Sequence, residues 1–173
     1  MLYFLRHAQS LANRDGIYAG AALNSGLTKD GVRKFTEYAG TNTIQFEKLY
    51  VSELSRSLNS GKVFSDLQKN DIEIITDSRI NELDFGKLTG HRYITFDTQD
   101  IYKKYKIESK ESFYNRVHSF FGDIQATTKK DENILIVGHS GVGKMLYAIV
   151  NDLPYDSYNS LGKFEDYKIY LLK

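Results

Sequence analysis

The 173 residues, 41% hydrophobic and 26% charged, carry enough apolar material to bury a core and fit one domain. With 23 basic and 22 acidic residues the formal net charge is +1, so no basic excess advertises a polyanionic partner, and a nucleic acid is not expected. Cysteine is absent, which excludes disulfides, thiolate nucleophiles and cysteine-ligated zinc.

The chain opens on Met1-Leu2-Tyr3-Phe4-Leu5, apolar only until Arg6. That run is too short for a secretory signal, and no later run approaches the length of a bilayer crossing. A cytoplasmic protein that begins at its first residue, with no membrane partner, is the expectation. Tyr3-Phe4-Leu5 itself reads as a buried strand, as do Leu49-Tyr50-Val51, residues 72–76 and residues 134–137, with residues 167–172 as a last candidate. Between them lie helical patterns. Thr28 reads as the N-cap of a helix toward Tyr38, and Ser52 as the cap of one running to about Gln68. Val117, Phe120, Phe121 and Ile124, preceded by Phe113, repeat at helical spacing, as do Val142, Met145, Leu146, Ile149 and Val150. Pro154, the single proline, follows the last of these, where a stop is expected. Residues 87–110 are polar and rich in Tyr, Lys and Asp, and read as an excursion over the sheet edge, a candidate lid.

Strands alternating with helices predict a three-layer α/β/α sandwich in one domain, residues 1–173, with a mainly parallel central sheet. Ligands of such sheets bind beyond the carboxyl ends of the strands. Arg6-His7 follows the first strand, Ser52 to Arg56 follow the second, and Gly138-His139 follow the fourth. Each cluster alone is unremarkable: a surface arginine with a core histidine, a solvated helix arginine, a glycine–histidine turn. Together they put two imidazoles and two guanidinium groups at one edge. Arginine's planar fork suits phosphate oxygens, a helix N-terminus after Gly138 favours an anion, and a histidine can attack phosphorus through a ring nitrogen.

The set of motifs resembles the histidine phosphatase superfamily, which includes cofactor-dependent phosphoglycerate mutases. Its opening strand-Arg-His-Gly-Glu-Ser/Thr with a later Asn is matched by Arg6, His7, Ser10 and Asn13. Leu27-Thr28-Lys29-Asp30-Gly31 fits its Leu-Thr-x-x-Gly, and Ser52-Glu53-Leu54-Ser55-Arg56 its Ser-x-Leu-x-Arg. Glu82, Gly86 and Gly90 fit Glu-x-x-x-Gly-x-x-x-Gly, Glu111 to Arg116 fit Glu-Ser-Phe-x-x-Arg, and Val137 to Gly141 fit Val-x-His-Gly-Gly. The resemblance implies that His7 is phosphorylated, that Arg6, Arg56 and His139 line the phosphate pocket, and that Asn13 touches phosphate oxygens. Ser10 and Ser140 are further expected substrate contacts. Glu82 is implied as the general acid that protonates the leaving oxygen. No cofactor and no metal is implied. The partner is a small phosphorylated metabolite, and a homodimer is compatible with the sequence.

Three positions depart from the pattern: Ala8 replaces glycine, Gln9 replaces glutamate, and Ser140 stands where glycine is common. Alanine is tolerated if the turn keeps a negative φ. Gln9 removes a negative charge expected near the pocket, which motivates the rival reading of a catalytically impaired protein that only binds phosphate esters. Gly138-His139-Ser140-Gly141-Val142-Gly143-Lys144 almost spells a P-loop, but Met145 cannot hold Mg²⁺ as a hydroxyl would. His7, His91, His118 and His139 lack metal-ligand spacing, and His91 and His118 read as loop and structural or exposed residues. The 13 tyrosines are assigned to strand packing and pocket lining rather than base stacking. A small-molecule phosphatase is favoured over a mutase, because the excursion, with Arg92, Lys103, Lys104 and Lys106, does not match the longer mutase insertion. Glu82 separates the chain from the short branch that acts on phosphohistidine proteins.

Overall fold

The computed structural model describes residues 1–94 and 101–173. Its core is a five-stranded sheet in the order β3-β2-β4-β1-β5, built from β1 (Leu2–Arg6), β2 (Lys48–Val51), β3 (Glu73–Thr76), β4 (Ile134–Gly138) and β5 (Ile169–Leu171). The first four strands run parallel, and β5 pairs antiparallel with β1 at one edge. Both faces are covered, and successive residues divide between them. Leu2, Phe4, Ile134 and Ile136 pack with α5 (Lys110–Thr127) and α6 (Ser140–Val150). Tyr3, Leu5, Leu135 and Val137 pack with α2 (Lys29–Ala39) and α3 (Ser55–Asp66) on the other face. Strands buried on both sides read as unbroken apolar runs, which is why β1 and β4 were visible in the sequence.

The helices form where capping and periodicity coincide. The Thr28 hydroxyl accepts the Gly31 N–H at 2.9 Å, and Ser109 caps α5 through the Ser112 N–H at 3.0 Å. Ser52 does not cap α3: the helix begins at Ser55 behind Leu54, with no side-chain cap, and Ser52 is used elsewhere. Two short helices escaped the periodicity, α1 (Leu11–Asp15) and α4 (Ile101–Tyr105), because one helical turn shows no repeat. The last strand is shorter than expected: Tyr167 takes a positive φ of 58°, so pairing with β1 starts only at Ile169. Of the excursion expected at residues 87–110, residues 95–100 lie outside the described residues. Its return is anchored where the Glu108 N–H donates to the Asp84 carbonyl at 2.9 Å. Gly86, at φ 53°, lets the Tyr105 and Lys106 carbonyls approach where a Cβ would stand. Among the described residues, no helix is long and apolar enough to cross a membrane.

Candidate active site

Strand register brings the three clusters together. Arg6 lies opposite Gly138 across β1–β4, and Val51 lies opposite Val137 across β2–β4. The residues that follow, His7, Ser52 and His139, therefore leave the sheet side by side. The His7 N–H donates to the Gly138 carbonyl at 2.9 Å, and the Ser57 hydroxyl ties β4 to α3 through the Val137 carbonyl at 2.6 Å. A cavity of about 340 Å³ opens above this point, lined by Arg6, His7, Asn13, Arg56, Glu82 and His139 among others.

The two imidazoles stand edge to face, centroids 5.0 Å apart. His7 Nδ1 lies 2.6 Å from the Ala8 carbonyl oxygen. A carbonyl can only accept, so Nδ1 carries the hydrogen and Nε2 keeps the lone pair. Burial above all, then the Arg56 and Arg6 cations, hold His7 well below the ordinary value of 6.5. His139 is held below it too, by burial, Arg56, His7 and the more distant arginines. Its Nε2 meets Ser52 Oγ at 2.7 Å, and its Nδ1 has no hydrogen-bond partner among the described residues.

These depressed values bear on stability. The unfolded chain takes up protons on both imidazoles as pH falls through 6.5, while the folded protein holds them neutral. Stability is thus full above pH 6.5 and is lost as pH drops below it, at up to about 1.4 kcal/mol per pH unit for each histidine. The urea midpoint is expected to fall between pH 6.5 and 5, more steeply in wild type than in a His7→Gln/His139→Gln double variant. Equal slopes in the two proteins would refute the assignment.

The arginines are held rather than free. Arg56, the second residue of α3, donates to the Gly20 carbonyl at 2.7 Å and the Leu23 carbonyl at 3.2 Å, which offsets burial of its charge. Arg6 pairs with Asp166 at 2.6 Å, a partner 160 residues away. Asn13 sits at the cavity wall because Ser10 caps α1: the Ser10 hydroxyl accepts the Asn13 N–H at 3.2 Å, and Asn13 Oδ1 accepts the Ser10 N–H at 3.3 Å.

Glu82 reaches the cavity from the loop after β3. Its two carboxylate oxygens accept the N–H groups of Leu83 at 3.0 Å and Gly141 at 3.2 Å. The second of these lies in the first turn of α6, whose cap residue His139 offers no side-chain bond, so the carboxylate serves in its place. A Cβ on Gly141 would meet Glu82 Oε1, so a larger residue there would push the carboxyl out of this seat. Arg116 braces the loop from behind, donating to the carbonyls of Arg79, Asn81 and Glu82 at 2.7, 2.6 and 3.1 Å and forking onto Glu108.

The family sequence model described as "Histidine phosphatase superfamily (branch 1)" matches residues 2–172. The chain belongs to this superfamily. It is 30% identical over 168 residues to a Hydrogenobacter thermophilus protein named "Putative phosphoserine phosphatase 2", covering 86% of this chain and 76% of that one. It is 25% identical to the adenosylcobalamin/alpha-ribazole phosphatase of Escherichia coli, over 90% and 81% of the two chains. Among solved structures, the alpha-ribazole phosphatase of Shigella flexneri superposes with a TM-score of 0.78 at 22% identity, covering 97% of this chain and 87% of that one, a likeness of fold. As a histidine phosphatase superfamily member with phosphatase relatives, the protein is a phosphatase-type enzyme.

Arg6, His7, Asn13, Arg56, Glu82, His139 and Ser140, the residues expected to act together, all line one cavity. Ser10 does not: it is buried and its hydroxyl is spent on the α1 cap, so it acts through Asn13. The departures are absorbed. Ala8 is fully buried, does not enter the left-handed region and donates its N–H to Ser60 Oγ at 3.0 Å. Gln9 does not line the cavity; its side-chain oxygen accepts the Thr28 hydroxyl at 3.1 Å, so the charge missing there is not missing from the pocket. The near-P-loop is a helix, because α6 starts at Ser140 and leaves no loop to wrap phosphates. His91 and His118 are exposed, the latter stacked on Tyr114. Sequence reasoning missed Ser52 as the partner of His139, Asp166 as the partner of Arg6, and the bracing by Arg116. The Ser-x-Leu-x-Arg and Glu-Ser-Phe-x-x-Arg motifs contained the first and third, and nothing local signalled Asp166.

Proposed function

We propose that the protein hydrolyses a small phosphorylated metabolite through a phosphohistidine at His7, without a metal. The observation that carries the reading is the fixed tautomer of His7: its Nδ1–H is spent on the Ala8 carbonyl, and burial with two arginines keeps Nε2 unprotonated. Nε2 attacks phosphorus, and the P–O bond to the leaving group breaks as the N–P bond forms. Arg6, Arg56, His139 and Asn13 take the charge on the equatorial oxygens. Protonated Glu82 gives its proton to the departing oxygen, leaving as the alcohol. In the second half, water attacks the phosphohistidine, Glu82 accepts its proton, the N–P bond breaks, and phosphate departs.

A mutase performs the same first half and returns the phosphoryl group to a reoriented substrate. The relatives aligned along 86% and 90% of the chain are named phosphatases, whereas a bisphosphoglycerate-dependent mutase of Parvibaculum lavamentivorans aligns, at 35% identity, over only 52% of it. The deciding assay is p-nitrophenyl phosphate hydrolysis in EDTA, with 3-phosphoglycerate isomerisation in parallel. Hydrolysis without isomerisation is expected. Efficient isomerisation with little hydrolysis would make it a mutase, and silence in both would favour either a narrow natural substrate or a binding protein.

A further inference from the structure

Ser52 and His139 are both fully buried, so each hydrogen and lone pair they carry has to be placed within the protein or on a ligand. The Ser52 hydroxyl has two neighbours among the described residues. The Leu54 N–H donates to its oxygen at 3.3 Å, and His139 Nε2 lies 2.7 Å away. That leaves the hydroxyl hydrogen one acceptor, the lone pair of Nε2. An Nε2–H would instead donate to the same oxygen and leave the Ser52 hydrogen buried with nothing to meet. The other ring nitrogen gives the same answer. His139 is the N-cap of α6, a position where a side-chain acceptor ordinarily takes an N–H of the first turn. It makes no such bond, and the Gly141 N–H goes to Glu82. A nitrogen that carries a hydrogen cannot accept one. Burial, foremost, and the surrounding cations keep the ring neutral, so it holds one ring hydrogen, and both counts put it on Nδ1. This Nδ1–H is buried without a partner among the described residues, on a ring that lines the cavity.

We infer that Ser52 is a positioning residue: by donating to His139 Nε2 it keeps the ring hydrogen on Nδ1, as a neutral donor to a phosphoryl oxygen. The assignment rests on the phosphatase reading for the phosphoryl group and adds what fixes the donor. The two imidazoles then carry their hydrogen on the same nitrogen to opposite ends. His7 spends its Nδ1–H on the Ala8 carbonyl and presents a lone pair, whereas His139 spends its lone pair on Ser52 and presents a hydrogen. Ser52 is itself held in place, because its N–H donates to Ser57 Oγ at 3.0 Å and the Ser57 hydroxyl donates to the Val137 carbonyl at 2.6 Å. The direction of the donor is therefore set jointly by the end of β2, the first turn of α3 and β4.

The first measurement is made on the ligand-free wild-type protein, labelled with ¹⁵N-histidine at pH 7.5. The two-bond ¹H–¹⁵N spectrum, with His139 identified by the signals lost in His139→Gln, should show its hydrogen on Nδ1 and a bare Nε2. Ser52→Ala should move that hydrogen toward Nε2 and raise the dissociation constant for inorganic phosphate, measured by calorimetry, by about 10-fold. Ser52→Thr, which keeps the hydroxyl, should restore both the spectrum and the affinity, and urea midpoints check that the variants are folded. A wild-type ring with its hydrogen on Nε2 would overturn the inference whatever the variants do. So would a Ser52→Ala protein whose tautomer is unchanged, or one whose tautomer changes while phosphate affinity does not. The spectrum requires no turnover, whereas hydrolysis of p-nitrophenyl phosphate by wild type tests the phosphatase reading, so the two fail separately.

Discussion

Replacing His7 by alanine is expected to lower kcat for p-nitrophenyl phosphate by at least about 10⁴-fold, since covalent catalysis disappears with its nucleophile. His139 is tied through Nε2 to Ser52, and the remaining cavity cations, Arg6, Arg56, Lys144 and Lys163, are poor nucleophiles while protonated. The fold should survive, because the variant removes one neutral ring that two buried cations already disfavour as a charged group. The urea midpoint at pH 7.5 is the control, and His7→Gln, closer in volume, guards against a collapse of the cavity. In wild type, a brief reaction with ³²P-labelled substrate should leave label on the protein that withstands alkali and is lost in acid, as a phosphoramidate behaves. Near-normal turnover in His7→Ala would remove the histidine from the mechanism.

The second large effect concerns proton delivery. Glu82→Gln keeps the size of the side chain and one of its two acceptor oxygens but cannot release a proton to the leaving oxygen. General acid catalysis contributes roughly 10²–10⁴-fold, and it matters most when the leaving group is a strong base. Turnover of an alkyl ester such as glycerol 3-phosphate should therefore fall about 10²- to 10³-fold, and that of p-nitrophenyl phosphate by less than about 10-fold. Gly141→Ala should give the same signature without touching the carboxyl chemically, because its Cβ would occupy the place of Glu82 Oε1. If both variants lose activity equally on good and poor leaving groups, Glu82 shapes the pocket and another group supplies the proton.

Buried strands were legible because a parallel sheet covered on both faces needs apolar residues on both, and β1 and β4 carry such runs. The long helices were legible from the 3.6-residue repeat of their core-facing side chains, as in α5, where Val117, Phe120, Phe121 and Ile124 are all buried. The first and last of the site motifs were legible because in such a fold chemistry gathers at strand ends, so Arg6-His7 and Gly138-His139 could be joined before any coordinates were known. Glu82 was found by its motif alone; no strand or helix pattern points to it.

What a side chain faces within a motif was not legible. Gln9 looked like a pocket residue beside His7, yet it turns to Thr28, and Ser52 looked like a helix cap, yet it turns to His139. Both have short-range alternatives of similar worth, and the choice between them is made by contacts with elements tens of residues away. The sequence by itself determined which residues are apolar, how they repeat, and hence the layers and the strand ends. Only the tertiary structure decided the tautomer of His7, the pairing of Arg6 with Asp166, and the seat of Glu82 on the first turn of α6. Periodicity is a property of neighbours along the chain, whereas these are hydrogen bonds between groups that become neighbours only when the sheet is assembled.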